Sequence, residues 1–446
     1  MNKIYNKILL ITLFMLLAIS SKAQMDYLAV DSNTYKLYYN QQWNRLIEYG
    51  DSAIESGIDY MFLRQRIGVA YFSLQNYRMA SFHLEKALKF NSDDDFTLYY
   101  LYYSYLYSGR QSDANYITQN MTDAVKANIK WKNKYICSVN LESAYSISNN
   151  ISKNSSINYA APYAYGENTM CNNLTYFHLG LSHEVLPFLS FYHGFSKISI
   201  ESEKIIYFPS SSGLKEADDK YSTNQYEYYI SSNIQLKQGL KLSPAYHYLH
   251  VGFTNIVYDT AVHNVVNATT SINNYVASIA ITKDFKITNL SVFASTSNLN
   301  SLHQLVFGTT LNYFPLGNLD AYTSTTLSCI LEKNNINGTP MRFIFDQMAG
   351  IKLMDKLWGE ASVTLGNLTD FNEKNAYVVY NTFDDIIFKT GVSLLYSLSP
   401  MIDLSLRYQY LSRQDTYYTS INAKQAKYTT TNYNNNTIIG GIKWKL

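Results

Sequence analysis

The side chains able to support chemistry are His178, Ser182 and Glu184, which alternate onto one face of an extended stretch, and the pair His247 and His250. Residues four apart on a strand stand about 13 Å from one another, so His178 and Ser182 cannot act as base and nucleophile. His247 and His250 point to opposite faces, which rules out a two-histidine metal pair on a regular strand. The run Asp93-Asp94-Asp95 lacks calcium-loop spacing and reads as a solvated turn that caps the following helix. Cys137, Cys171 and Cys329 are too few and odd in number for a disulfide framework; the first and last fall on apolar faces and Cys171 at a loop edge. There is no Gly-x-Ser-x-Gly elbow, His-Glu-x-x-His helix or phosphate loop. The expectation is therefore of no catalytic site, no metal and no cofactor, hence of a protein that is not an enzyme.

A second group of residues is electrostatic. Arg342, Asp346 and Lys352 share one face of an alternating segment; Glu360 follows on the next, Lys389 on a third, and Asp403 and Arg407 on a fourth. If the opposite, apolar face meets lipid, all of these point into a lumen, since a charge on the lipid side costs up to several kcal/mol. There they serve either as a polar constriction on a water-filled path or as ion pairs that fill the lumen and stiffen the wall. Pairing between adjoining strands is the favoured reading.

The elements that must position these residues follow from composition and periodicity. In 446 residues, 36 Lys and Arg oppose 34 Asp and Glu, a formal charge of +2 that excludes an electrostatic nucleic-acid binder. With 43 Tyr but only 7 Pro and 19 Gly, the chain is not a disordered one. Residues 1–23 have a positive start at Lys3 and Lys7, an apolar stretch from Ile8 to Ile19, and small Ser21 and Ala23 before Gln24. That is the pattern of a cleaved signal peptide, and the apolar stretch rises only about 18 Å as a helix, short of a bilayer. Its removal takes Lys3, Lys7 and Lys22 and no acid, leaving 33 basic against 34 acidic side chains. The rest holds no apolar run of about 18 residues, so any membrane crossing must use a β-barrel.

Residues 24–130 have helical spacing and repeat at a register of 34. Trp43 aligns with Tyr77, Leu46 with Ala80 and Ala114, and Ala53 with Ala87; Ile67, Gly68, Tyr71 and Leu84 complete the clearest copy, 61–94, between copies at 27–60 and 95–128. Small residues at 68 and 80 let two helices approach while the larger ones fill the grooves between repeats. This resembles the tetratricopeptide repeat, although Arg64, Ser92 and Tyr102 stand where that pattern has tryptophan, proline and glycine. The resemblance implies a concave face that docks one periplasmic protein.

From Trp131 to the last residue the period is two. Fourteen alternating segments can be counted, with tight turns near Leu186-Pro187, Lys237-Gln238-Gly239, Asp284, Leu316-Gly317, Met354-Asp355 and Ser399-Pro400 and longer loops between the others. Short turns on one side and long loops on the other are the pattern of an outer-membrane barrel, turns periplasmic and loops extracellular. Tyrosine girdles at the membrane interfaces account for the tyrosine excess. Loops near 148–172, 204–222 and 415–433 carry Tyr, Asn, Ser and Thr, which suits glycan contacts as well as plain solvation.

Gly441, Ile442, Trp444 and Leu446 resemble the C-terminal β-signal of outer-membrane proteins, with Ile439 and Leu446 as departures from it. This implies recognition by the barrel-assembly machinery. The fold class expected is thus a short α-helical tetratricopeptide-like solenoid followed by an antiparallel transmembrane β-barrel of about 14 strands: signal 1–23, helical domain 24–130, barrel 131–446. That order is similar to the outer-membrane proteins that export exopolysaccharides. It implies a pore for an envelope polymer or small solutes in contact with outer-membrane lipid, with a periplasmic protein at the repeats and no nucleic acid. The alternative is a non-conducting barrel whose repeats scaffold an envelope or secretion complex.

Overall fold

The computed structural model describes residues 26–131, 135–148, 164–333, 340–382, 384–420 and 425–446; residues 1–23, expected from the sequence to be a signal peptide, lie outside them. The chain forms two units, one reaching to Ser108 and including Asn120–Ile129, the other made of Gly109–Gln119 and everything from Lys130 onward.

The first unit holds α1 (Tyr27–Tyr39), α2 (Trp43–Glu55), α3 (Met61–Ser73), α4 (Tyr77–Ala87), α5 (Asp95–Tyr107) and the short α7 (Asp123–Asn128). Helices α1, α3 and α5 begin at residues 27, 61 and 95, a constant interval of 34. The close approaches are made by glycine: a Cβ on Gly68 would stand 2.7 Å from Leu84, and one on Gly50 2.7 Å from Ile67. Leu46, Ala53, Ile67, Ala80, Leu84 and Ala87 are fully buried around them. The ring of Trp43 meets Tyr38 at 5.9 Å, Tyr71 stacks on His83 at 5.4 Å, and Tyr77 packs on Phe72 at 5.3 Å. Asp94 is the N-cap of α5 and accepts from the Thr97 amide at 2.8 Å, so the acidic run has a capping role.

Arg64, where the repeat pattern has a large ring, explains itself by a two-pronged ion pair. Its Nε and a terminal nitrogen each reach Asp59 at 2.7 Å, and its other terminal nitrogen stands 3.2 Å from His83.

The second unit is a closed barrel with one helix attached, α6 (Gln111–Ile117). The helix lies inside the 24–130 segment by sequence, yet groups with the barrel, and Ala114 is buried there. Asp113 accepts from Gln235 Nε2 at 2.8 Å and from the Gly239 amide at 2.5 Å, while Arg110 Nε holds Asp113 at 3.0 Å and Asp284 at 3.8 Å. α6 is thereby fastened to the tight turns of the barrel.

The wall strands are β1 (Ile136–Ser148), β2 (Tyr165–Leu186), β3 (Leu189–Ser210), β4 (Gly213–Lys237), β5 (Leu240–Asp259), β6 (Asn264–Asp284), β7 (Thr288–Ser297), β8 (His303–Tyr313), β9 (Ala321–Lys333), β10 (Met341–Met354), β11 (Leu357–Leu365), β14 (Asp385–Ser399), β15 (Ile402–Ser420) and β16 (Ala426–Lys445). The remaining two, β12 (Phe371–Glu373) and β13 (Val378–Tyr380), form a separate hairpin. Neighbours in sequence pair antiparallel around the wall, and β1 pairs with β16, Leu141 opposite Ile442, to close it. The wall thus has fourteen strands, as the alternation predicts. Alternation also sets the faces: on β10 Phe343 and Ile351 are exposed outward and Ile344 is buried inward. Cys137 and Cys329 share the outward parity of Leu141 and Leu327.

All three expected long loops are corrected: of 148–172, the part from Tyr165 is already β2, paired with β3 from Gly166 opposite Tyr207, and 149–163 lies outside the described residues. The 204–222 region is the end of a hairpin whose ladder runs to Ser210 opposite Gly213, and 415–433 is largely ladder up to Ser420 opposite Ala426. Cys171 is buried within β2, inside a strand instead of at a loop edge. Polar Thr, Asn and Tyr stretches pair as strands here because two partner strands satisfy each other's backbone whatever the side chains are.

The Arg64 and Asp59 pair generates a prediction. The Arg64 guanidinium holds the Asp59 carboxyl below its ordinary value, so its contribution to stability is present above the unfolded carboxylate value of about 4 and lost as pH falls through the lower folded one. Arg64→Met should lower the helical melting transition of the full chain, followed by circular dichroism, at pH 7. The gap from the unaltered chain should narrow on acidification below pH ~4; a gap independent of pH would contradict the assignment.

Candidate functional site: a hairpin inside the barrel

The lumen is occupied by residues 366–382, a connection between β11 and β14 that turns inward. The turn is made by Gly366, whose φ of +116° and whose missing Cβ, 2.5 Å from the Phe343 carbonyl oxygen, admit no side chain. Leu368 and Phe371 then enter an apolar cluster with Val306, Ile330, Ile344, Tyr380, Ile386 and Leu411. Across the lumen Ala376, with Tyr377 and Val379 against it, joins Tyr229, Ala245, Leu249, Val276 and Leu299 of the opposite wall.

The tip of the hairpin is Lys374, Asn375 and Ala376, with φ of 52°, 57° and 65°. Three successive left-handed residues with side chains persist only where surroundings over-determine them. Here His247 Nδ1 stands 2.7 Å from the Ala376 carbonyl, the Tyr229 hydroxyl donates to the Asn375 carbonyl at 3.1 Å, Ser278 donates to Asn375 Oδ1 at 2.7 Å, and Asn375 Nδ2 donates to the Ser243 carbonyl at 3.1 Å. The tip is therefore gripped by β4, β5 and β6. On the β2 and β3 side Tyr377 OH lies 3.1 Å from His178 Nε2 and 3.4 Å from Tyr192 OH.

The root of the hairpin is held by charge. Lys389 Nζ donates to Glu373 at 2.6 Å and to the Tyr380 hydroxyl at 2.9 Å. Arg342 pairs with Glu332 at 3.0 Å and donates to the carbonyls of Asn367 and Thr369 at 3.2 and 3.0 Å. Arg342 and Lys389, singled out for their inward charge, are thus the two that hold the infolded segment. The others find partners elsewhere on the wall. Asp346 accepts from Thr364 at 2.6 Å, and Glu360 from Tyr322 and Ser393 at 2.6 and 2.8 Å. Lys352 lies 3.4 Å from Asp355 and 3.9 Å from Asp320, and Asp403 pairs with Lys445 at 2.7 Å. Arg407 pairs with Glu142 at 2.7 Å; this bridge passes over β16, where Gly441 offers no side chain to obstruct it.

The wall places His178 beside Ser196 on the neighbouring strand, 2.9 Å from its Oγ, instead of beside Ser182. His250 lies on the outer side with Nδ1 2.7 Å from Asn273, apart from the lumenal His247. β14 leaves the edge of β15 at Asp385 opposite Gln414, and that edge then pairs with β2, Tyr418 opposite Glu167 to Ser420 opposite Tyr165. In the wall β16 and β1 separate these strands, so the β15–β16 hairpin must leave the wall line to make this ladder.

Alternation alone marks this segment only as one of the longer connections between strands and does not say where it goes. One signal was present: Leu368, Phe371, Val378 and Val379 are apolar residues that a solvated loop has no use for.

No protein-family model and no curated protein matches the chain. Among solved structures it is similar to the toluene transporter TodX of P. putida, at 6% identity and a TM-score of 0.42 over 69% of this chain and 90% of that one. It is also similar to a FadL homologue of Pseudomonas aeruginosa, at 8% identity and a TM-score of 0.43 over 69% and 90%. A bacterial polysaccharide outer membrane secretin aligns at 10% identity and a TM-score of 0.33 over 69% and 98%. The architecture, an even-stranded antiparallel barrel with short turns at one end, long hairpins at the other and an apolar outer face, is that of an outer-membrane barrel.

The infolded segment carries its own pH dependence. Burial pushes the Asp370 carboxyl up to about 7, against a hydrogen bond from Asn300 at 2.6 Å. A carboxyl raised on docking favours the docked state least once ionised. Docking should weaken as pH rises from about 4 toward 7 and level off above. Hydrogen exchange in 367–382, corrected for intrinsic rate, should speed up over that interval in the unaltered chain and stay flat in Asp370→Asn; equal slopes in both would refute it.

Proposed function

We propose that this chain is a transport-type outer-membrane barrel that rests closed, with residues 366–382 as its plug and with a substrate that is an envelope polymer or a small solute. The observation that carries this reading is the way the hairpin tip is held. Four hydrogen bonds from the opposite wall grip backbone and amide groups of Asn375 and Ala376, and water can replace each of them when the segment withdraws, at a net cost of only about 1 kcal/mol apiece. The left-handed backbone at the tip relaxes on release, which lowers the cost further.

The reading places the tight turns and both barrel termini in the periplasm and the long hairpins outside the cell. The helices recurring at 34 residues then form a periplasmic surface for one partner protein, in the manner of tetratricopeptide repeats, and the C-terminal strand is the segment that the assembly machinery takes up. A second reading is favoured by the two apolar clusters that hold the plug from both sides. It makes the barrel a permanently closed anchor whose helices scaffold an envelope complex.

Planar-bilayer conductance separates the two. The intact chain should show rare openings, and a version with 369–381 replaced by a short Gly-Ser turn should show steady, salt-dependent conductance. A folded, heat-modifiable but silent deletion would sink the transport reading in favour of the anchor. Any truncation made to ask whether the helices regulate opening should begin at Gly109, because α6 is fastened to the barrel turns.

A further inference from the structure

The ladder between β4 and β5 stops at Asn224 opposite Gly252, although both strands continue well beyond that level. β4 goes on pairing with β3 to Gly213, and β5 with β6 to Asp259. The two long hairpins therefore part above this sill. They meet again nearer their tips, where Phe208 packs on Tyr258 at 5.4 Å and Ile206 and Phe208 form a cluster with Ile256. Between sill and roof lies a cleft of about 590 Å³.

The cleft is cut into the wall instead of lying upon it. One face of an intact sheet presents residues of one parity, whereas Tyr221 and Ser222 on β4, and Phe253 and Thr254 on β5, all line this cleft. Its lower margin is His250, which stands opposite Tyr226 in the ladder; Tyr226 with Tyr228, Tyr246 and Tyr248 makes an exposed outward belt of the kind found at the membrane interface. The cleft therefore opens at or beyond headgroup level, on the watery side of that belt.

Its chemistry selects the ligand. The lining has one acid, Asp219, and one adjacent base, Lys220, so it has no net charge to attract a phosphate or another anion. It has no continuous apolar wall for a hydrocarbon. It offers hydroxyls, amides and an imidazole that both donate and accept: Ser222, Asn224, Thr269, Ser271 and His250, whose Nδ1 is taken by Asn273, leaving Nε2 for a ligand. Two rings, Tyr221 and Phe253, stand 5.9 Å apart at a tilt of 39° in the gap. Rings beside mixed donors and acceptors match the apolar face and hydroxyl rim of a sugar. The volume falls within the range of about 300–1,000 Å³ typical of ligand pockets.

We propose that the cleft between β4 and β5 is a binding site for a neutral oligosaccharide, either free or displayed on a glycolipid of the surrounding leaflet. It is separate from the lumenal plug and does not depend on whether the barrel conducts.

The test uses the full chain in nanodiscs and two variants. Gly252→Trp fills the cleft from its sill, where a Cβ meets nothing closer than the Thr270 carbonyl at 4.0 Å, so the fold accepts a side chain there. Tyr221→Ala removes one ring. Calorimetric titration with maltotetraose, cellotetraose and chitotetraose addresses the free source, and nanodiscs with and without lipopolysaccharide address the lipid-borne one. The expected result is saccharide binding from one source that both variants weaken at least about ten-fold. No binding from either source, binding that Gly252→Trp leaves intact, or cleft-dependent binding of inorganic phosphate or a fatty acid in its place would overturn the proposal. Loss of binding in Tyr221→Ala alone, with Gly252→Trp still binding, counts as overturning it too.

Discussion

Closure of the sheet is the constraint on which the rest of the barrel depends. The ladder from Ser138 opposite Lys445 to Ser148 opposite Asn435 removes the last open edge, so the wall leaves no row of unpaired backbone groups to face a hydrocarbon phase. With the edges gone, side-chain alternation has only two destinations. Apolar residues such as Phe343, Val392 and Leu406 go outward, and polar or small ones go inward.

Inward placement creates a second demand. Charged and amide side chains facing a space that is not simply open water must find partners, and this structure supplies them in two ways. Along the wall, residues pair across or between strands, as Asp346 does with Thr364 and Arg407 with Glu142. Across the lumen, the infolded segment brings its own polar groups to the wall, and Arg342 and Lys389 spend their charge on its backbone and on Glu373. Burial of Tyr229 and His247 beside that segment follows from the same arrangement. The hairpin is thus as much a part of the interior as any wall residue, held by polar bonds as well as by apolar packing.

The same rule of edges explains where the wall departs from regularity. Strands that outrun their neighbours keep one partner and lose the other, and the freed edge either finds a new strand or opens. β15 takes the first course by pairing with β2, and β4 and β5 take the second, leaving a polar gap roofed by aromatic contacts. In the helical unit the corresponding constraint is helix approach. Gly50 and Gly68 allow it at the positions where Ile67 and Leu84 press in, and Arg64 keeps its place beside the core by pairing with Asp59.

The sequence by itself determined the fold class, the number of wall strands, the tight turns and the inward side of each strand, because these follow from local periodicity and turn chemistry. A period of two assigns every residue to a face once one face is known, and Pro187, Gly239, Gly317 and Pro400 mark the ends of strands without reference to anything distant. Only the tertiary structure decided that residues 366–382 lie inside the lumen, that α6 belongs with the barrel and that Arg342 and Lys389 hold the infolded segment. It also decided that His178 meets Ser196 and Tyr377. Each of these joins groups far apart in the chain or set by strand register, and no local pattern records which distant wall a loop will reach. The apolar Leu368, Phe371 and Val378 signalled that their loop must be buried somewhere; where, only the closed barrel could settle, since it alone offers an enclosed apolar patch on the far side.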